Sequence, residues 1–184
     1  MKGQKSQEIE AGVCNPFIVN APGVVAAGVE TDALTDFSDL LPTFVELGGG
    51  KVPEDLVVDG VSIAPMLLGK SEDTSREWVM ALGHGPAWVD EKGVRGQLDF
   101  ATRVIRDKRF KVWVSKNKKI FRLHDLINDP WEETNLFSSS DPIHQAALKK
   151  FQVVVDELPD QDARPLYEVR AANSWDKRLP RTRK

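Results

Sequence analysis

Hydrophobic positions along the chain change period near Gly69. Before it, Phe17-Ile18-Val19 is a short apolar run that stops at the turn signal Ala21-Pro22-Gly23, which predicts a buried strand ending at a loop. Between Asp36 and Gly48, Ser38 or Asp36 is placed to cap and Pro42 falls in the first turn. Leu40, Leu41, Phe44, Val45 and Leu47 make an apolar face there, so a helix is expected, ended by Gly48 to Gly50. Asp59-Gly60-Val61-Ser62 reads as a turn, and Ala64 to Leu68 as a short apolar helix or coil. After Gly69 the pattern is one of short strands and charged turns, beginning with a strand over Glu77 to Leu82.

Phe110, Val112 and Val114 alternate with Lys111, Trp113 and Ser115, and Lys116-Asn117-Lys118 then turns the chain into a second run from Ile120 to Leu126. This predicts an antiparallel hairpin with one face buried. Asp141-Pro142 opens a last helix in which Ile143, Ala147, Phe151, Val154 and Leu158 form a stripe suited to packing on that small sheet. Beyond Pro159 no period is sustained, and no internal repeat is found. The implied fold class is α/β: the edge of an α/β core followed by a small antiparallel sheet packed by a C-terminal helix. One strand of three apolar residues makes no central sheet by itself, so its neighbours are expected outside this chain.

With 184 residues, 41% of them hydrophobic, the chain can bury a sizeable core. Its 25 basic and 28 acidic residues give a net charge of −3, which offers no case for nucleic acid or an anionic membrane as a partner. The distribution is uneven, because residues 164–184 carry seven basic and two acidic side chains. A basic tail thus follows an acidic body. A single cysteine excludes an internal disulfide and a cysteine-built zinc site. The stretch Met1 to Gly12 lacks the apolar core of a signal peptide, and no run approaches the length of a membrane span. No targeting pattern fixes a localisation.

Candidate chemistry is sparse. Cys14, in Cys14-Asn15-Pro16, has no base or cation nearby in sequence and reads as a small packing residue beside a proline. His124 and His144 read as surface or packing residues. His84 differs, since it sits in the loop Leu82-Gly83-His84-Gly85-Pro86 after a strand, where substrate contacts concentrate. It is a candidate substrate-binding residue. Asp36, Asp39 and Asp59 are explained by caps and turns, and no metal-ligand cluster, P-loop or catalytic triad pattern is present.

Five stretches, in order, carry a resemblance: Lys5 with Glu10-Ala11-Gly12, Pro16 and Pro22-Gly23; Asp39-Leu40-Leu41-Pro42-Thr43; Asp59-Gly60-Val61-Ser62 with Pro65 and Leu67; Arg76-Glu77-Trp78; and Leu123-His124-Asp125-Leu126 with Asn128-Asp129-Pro130, Glu132, Glu133 and Asn135-Leu136. Together they resemble the C-terminal part of the sulfatases, the arylsulfatase-like branch of the alkaline phosphatase superfamily. Relatives carry Tyr where His124 stands and often Arg or His where Cys14 stands.

The resemblance implies hydrolysis of sulfate esters, possible substrates including sulfated carbohydrates, by a formylglycine made from a Cys/Ser-x-Pro/Ala-x-Arg motif together with calcium held by Asp and Asn. Cys14-Asn15-Pro16-Phe17-Ile18 misses that motif, having Ile18 in place of Arg. Lys5 matches the family lysine that reaches the sulfate, and is the catalytic candidate; an ammonium on a flexible stem meets a sulfate oxygen as a point charge. Glu10 and Gly12 are expected to be structural, Gly12 for a backbone conformation closed to side chains. No metal ligand is assigned.

The resemblance divides the chain into the edge of the sulfatase core at 1–70, a small α+β subdomain at 71–160 and the basic tail at 161–184. It also implies that the chain is inactive without an N-terminal catalytic part. The alternative is a non-catalytic module that binds a sulfated glycan or a partner protein through the tail. Complete family members are often periplasmic, secreted or lysosomal.

Overall fold

A computed structural model describes residues 7–82, 88–90, 93–95 and 100–162. Lys5, His84 and the basic tail from Arg164 lie outside the described residues. The chain begins with a short helix α1 (Glu10–Val13), followed by a long coil, a 3-10 turn over Phe37–Asp39 and helix α2 (Leu40–Leu47). Helix α3 (Ala64–Leu67) leads into strand β1 (Val79–Leu82). A separate two-stranded ribbon, β2 (Trp88–Asp90) with β3 (Gly93–Arg95), comes before β4 (Arg103–Arg106), β5 (Phe110–Val114), β6 (Ile120–Asp125) and helix α4 (Pro142–Glu157).

Strands β1, β4, β5 and β6 form one antiparallel sheet in that order, with Arg106 opposite Lys111 and Lys111 opposite His124. Residues directly opposite share a face. One face therefore carries Ile105, Val112 and Leu123, and α4 covers it with Ala147, Phe151 and Val155. This is the core of the molecule. Asp141 caps α4 by accepting from the Ile143 backbone N–H, and Pro142 occupies the first turn, as the sequence predicts. The stripe itself is shifted: Val155 is buried and Ile143 is half exposed. A spacing of four from Ala147 through Phe151 to Val155 keeps one line of contact along the helix.

The expected hairpin is present, but its second face is covered at Lys111, Trp113 and His124 and open only at Arg122. All five residues of β5 are buried, including Lys111 and Trp113. Helix α1 and the turn after β6 cover that face. Alternation along the strand cannot distinguish this from a wetted face, because the covering carboxylates come from far along the chain.

Two further expectations fail in the first seventy residues. Phe17-Ile18-Val19 is not a strand; it is coil with Ile18 86% exposed. Gly12 lies inside α1 and not among the glycines with positive φ, so its backbone conformation is open to any residue. Gly60 is the position where glycine is required. A Cβ there would stand 1.9 Å from the Ser38 carbonyl oxygen, so the segment 59–62, which is coil where a turn was expected, can press against the 3-10 turn before α2 only without a side chain.

Candidate functional site

Asp36 starts the 3-10 turn as half of a capping box: its side chain accepts from the Ser38 N–H, while the Asp39 carboxylate accepts from the Asp36 N–H. Asp39 is fully buried and also accepts from the Val61 N–H at 2.8 Å and from Arg76. Burial opposes its ionisation, yet the Arg76 guanidinium and these backbone N–H groups outweigh burial and hold its carboxyl below the ordinary carboxylate range. Asp39 and Arg76, from two of the five stretches, thus fasten α2 to the entry of the sheet. The expected cap was correct for Asp36; for Asp39 the role is larger.

Inside α2 the buried residues are Pro42 and Thr43. Thr43 Oγ1 donates to the Asp39 carbonyl and accepts from the Ile63 N–H, seating α3 against the helix. Of the expected apolar face, Leu41, Phe44 and Leu47 point outward, while Leu40 and Val45 are half-buried. Phe37, Leu41, Phe44 and Leu47 are exposed, Phe44 by 66%. Residues spaced by three and four stack along one side of a helix, so these side chains make a continuous apolar stripe.

Helix α1, which begins five residues after Lys5, is held by a second charge cluster. The Glu10 N–H donates to Glu132 Oε2 at 2.7 Å, and Lys111 Nζ stands 3.1 Å from Glu10 Oε1 and 2.9 Å from Glu132 Oε1. Arg106 Nη1 meets the other Glu10 oxygen. Lys111 is completely buried, with its ammonium 4.7 Å from the Trp113 ring centroid. Glu132 holds a positive φ of 56°, an uncommon conformation for a residue with a side chain. Glu10 is structural, as expected, whereas Lys111 and Glu132 were not singled out in this role; two Glu in the turn and a Lys in an apolar strand are the only signals.

His124 fills the row beside Lys111, buried and set edge-on to Trp113 at 4.9 Å. Among the described residues neither ring nitrogen has a hydrogen-bond partner, although Asp129 is 3.8 Å away. Burial pushes its pKa down, against the pull of Glu132 and Asp129. Asp125 accepts from Arg109 and Asn128, and the Arg109 guanidinium leads in pushing its carboxyl down to about 2. Cys14 is exposed.

These geometries give each of the five stretches a place in the fold, and the comparison with known proteins follows the same span. The sequence model of a family described as "N-sulphoglucosamine sulphohydrolase, C-terminal" matches residues 5–159. The chain belongs to that family. This sulfatase C-terminal region is 35% identical to steryl-sulfatase of Rattus norvegicus over 188 residues, covering 87% of the chain and 32% of the relative. It is 30% identical to an ulvan-active sulfatase of Formosa agariphila, covering 72% of the chain and 30% of that protein.

A solved putative sulfatase from Bacteroides thetaiotaomicron is 27% identical, with a TM-score of 0.46, covering 69% of this chain and 27% of that one. The sulfatase region spans about a third of the length of the curated relatives it matches.

Calcium takes six or more oxygen ligands, and among the described residues no group of three or more His, Cys, Asp or Glu is arranged to hold a metal. Glu10, Asp39, Asp125 and Glu132 are already committed to arginine, lysine or backbone N–H groups. Among the described residues no helix is long and apolar enough to cross a membrane.

Proposed function

We propose that this chain forms the C-terminal portion of a sulfuric ester hydrolase, contributing Lys5 as a sulfate contact to an active centre completed by a separate N-terminal catalytic part. The division at 1–70, 71–160 and 161–184 belongs to the same reading. The Lys5 ammonium would lie against a sulfate oxygen and stabilise the negative charge that grows on the sulfate and the leaving oxygen as the ester bond breaks. His84, which follows β1 in the sequence, would be a further contact to the substrate. Sulfated carbohydrates are the substrate class in view.

One observation carries the reading beyond family membership: the 3-10 turn and α2 present Phe37, Leu41, Phe44 and Leu47 to solvent, while Pro42 and Thr43 are the buried residues of α2. An apolar stripe of this kind on a chain one third the length of its relatives is the face expected to meet the rest of the enzyme. Alone, the chain should not turn over substrate. The test is to incubate the purified chain with an aryl sulfate and calcium; clear turnover above that of Lys5→Ala would sink the proposal.

A further inference from the structure

The β5–β6 turn and helix α4 border an open groove of about 470 Å3, a volume that suits a small organic molecule. Its walls follow from the sequence. Ala147, Phe151 and Val155 carry the line of α4 that packs on the sheet, so Leu148 and Gln152, four apart on the adjacent line, run along the border of that contact. The other apolar walls are Ile120, at the start of β6, and Phe137, from the connection to α4 and 39% exposed. Ile120, Phe137 and Leu148 thus give the groove an apolar lining.

Its polar lining is cationic. The turn places Lys116, Lys118 and Lys119 within four residues, the last two against the groove. Lys118 is already committed: its Nζ donates to the Leu158 carbonyl at 2.6 Å and pairs with Asp160 at 3.1 Å. It holds a φ of 55°, which costs energy for a residue with a side chain and persists where the surroundings fix it. Its two bonds tie the end of α4 to the turn and so set the width of the groove. Among the described residues the exposed Lys119 ammonium and the Asn117 amide have no partner. Gln152 donates its amide N–H to Asp156 at 2.7 Å and keeps its carbonyl oxygen.

The geometry points to a binding site for an organic anion with an apolar, aromatic body, an aryl carboxylate or aryl sulfate in type. The body lies on Ile120, Phe137 and Leu148, and the anionic group meets Lys119, with the Asn117 amide as a second donor. Lys116, on the same turn, adds to the positive field. The site is separate from the chemistry assigned to Lys5 and does not depend on it. Its ligand is held and not hydrolysed, because lysine, amide and apolar side chains line the groove and none of them is paired with a base.

The test is a titration of the isotope-labelled full chain with naphthalene-2-sulfonate, followed through backbone amide shifts. Saturable shifts are expected at residues 117–120, Phe137, Leu148 and Gln152, with a Kd of about 1 mM for a ligand of this size on an open site. 2-Naphthol, the body without the anion, and inorganic sulfate, the anion without the body, should each bind about tenfold more weakly. Lys119→Glu, at an exposed position that does not put the fold at stake, should weaken binding of the sulfonate about tenfold, as should Phe137→Ala. Should Phe137→Ala fail to fold, Leu148→Gln is read in the same way. No saturable shift, shifts of equal size along the α2 stripe, equal affinity for 2-naphthol, or undiminished affinity in Lys119→Glu overturns the inference.

Discussion

Arg76 donates from Nε and Nη2 to Asp39, which lies 37 residues earlier, and is 2.9 Å from Oδ2. The guanidinium also reaches Ser38 Oγ and the Asp59 carbonyl. The fork geometry of arginine allows one side chain to tie the start of α2, the coil at 59–62 and the entry to β1 together.

Arg76→Ala should therefore cost about 3–5 kcal/mol, because it leaves Asp39 buried and unpaired. Arg76→Lys should recover only part of that loss, since an ammonium cannot reproduce the fork. Urea unfolding of the variants measures both, and a loss below about 1 kcal/mol for Arg76→Ala would contradict the pairing described.

Asp125 makes stability depend on acid. Its folded pKa of about 2 lies below the ordinary 3.8, so the stabilisation is fully present above pH 3.8 and is lost as pH falls through 2. The difference sets an upper bound of about 2 kcal/mol, which solvent around the part-exposed Arg109 reduces. Asp125→Asn should be less stable than wild type at pH 6, and the gap should narrow towards pH 2. A constant gap in denaturant midpoints across that range would show that Asp125 does not act through its charge.

His124 has the opposite sense of burial. Its folded pKa is depressed below 6.5, so the unfolded chain binds the proton more readily and stability falls as pH drops below 6.5. His124→Phe keeps a ring against Trp113 and removes two ring nitrogens that lack hydrogen-bond partners among the described residues. The variant should be more stable than wild type at pH 5.5, by about 1 kcal/mol, with a smaller advantage at pH 8. Thermal melts at the two pH values decide it; an advantage that grows towards pH 8 would refute the assignment.

The stripe on α2 predicts association. Phe44→Glu should change the stability of the isolated chain by about 0.5 kcal/mol or less, because the ring is exposed. It should nevertheless reduce self-association, measured by sedimentation velocity over a concentration series. An unchanged distribution of species would mean that this face is not adhesive.

The elements that were legible in the sequence are those whose partners are close along the chain. The β5–β6 hairpin follows from alternation around Lys116-Asn117-Lys118, and α4 from a cap, a proline and a spacing of three and four. Hydrophobic pattern fixes which residues share a face but not what that face meets. Leu41 and Phe44 were therefore expected inside and stand outside, and Lys111 was expected outside and is buried. Burying Lys111 requires acids from residues 10 and 132, a pairing that no local window contains. The run Phe17-Ile18-Val19 has strand composition, but a strand also needs a neighbour to hydrogen-bond, and none of the described strands reaches it.

The span between Glu10 and Lys111 also sets an order of assembly. The connection from β4 to β5 and from β5 to β6 is a few residues, whereas the α1 anchor must close a loop of about a hundred, at a larger entropic cost. During synthesis Glu10 leaves the ribosome long before Lys111 exists, and its carboxylate waits in water until the sheet offers it a cation. The sheet is thus expected to form first and recruit its own N-terminal strap, and pulsed exchange labelling should find β5 protected before residues 8–13.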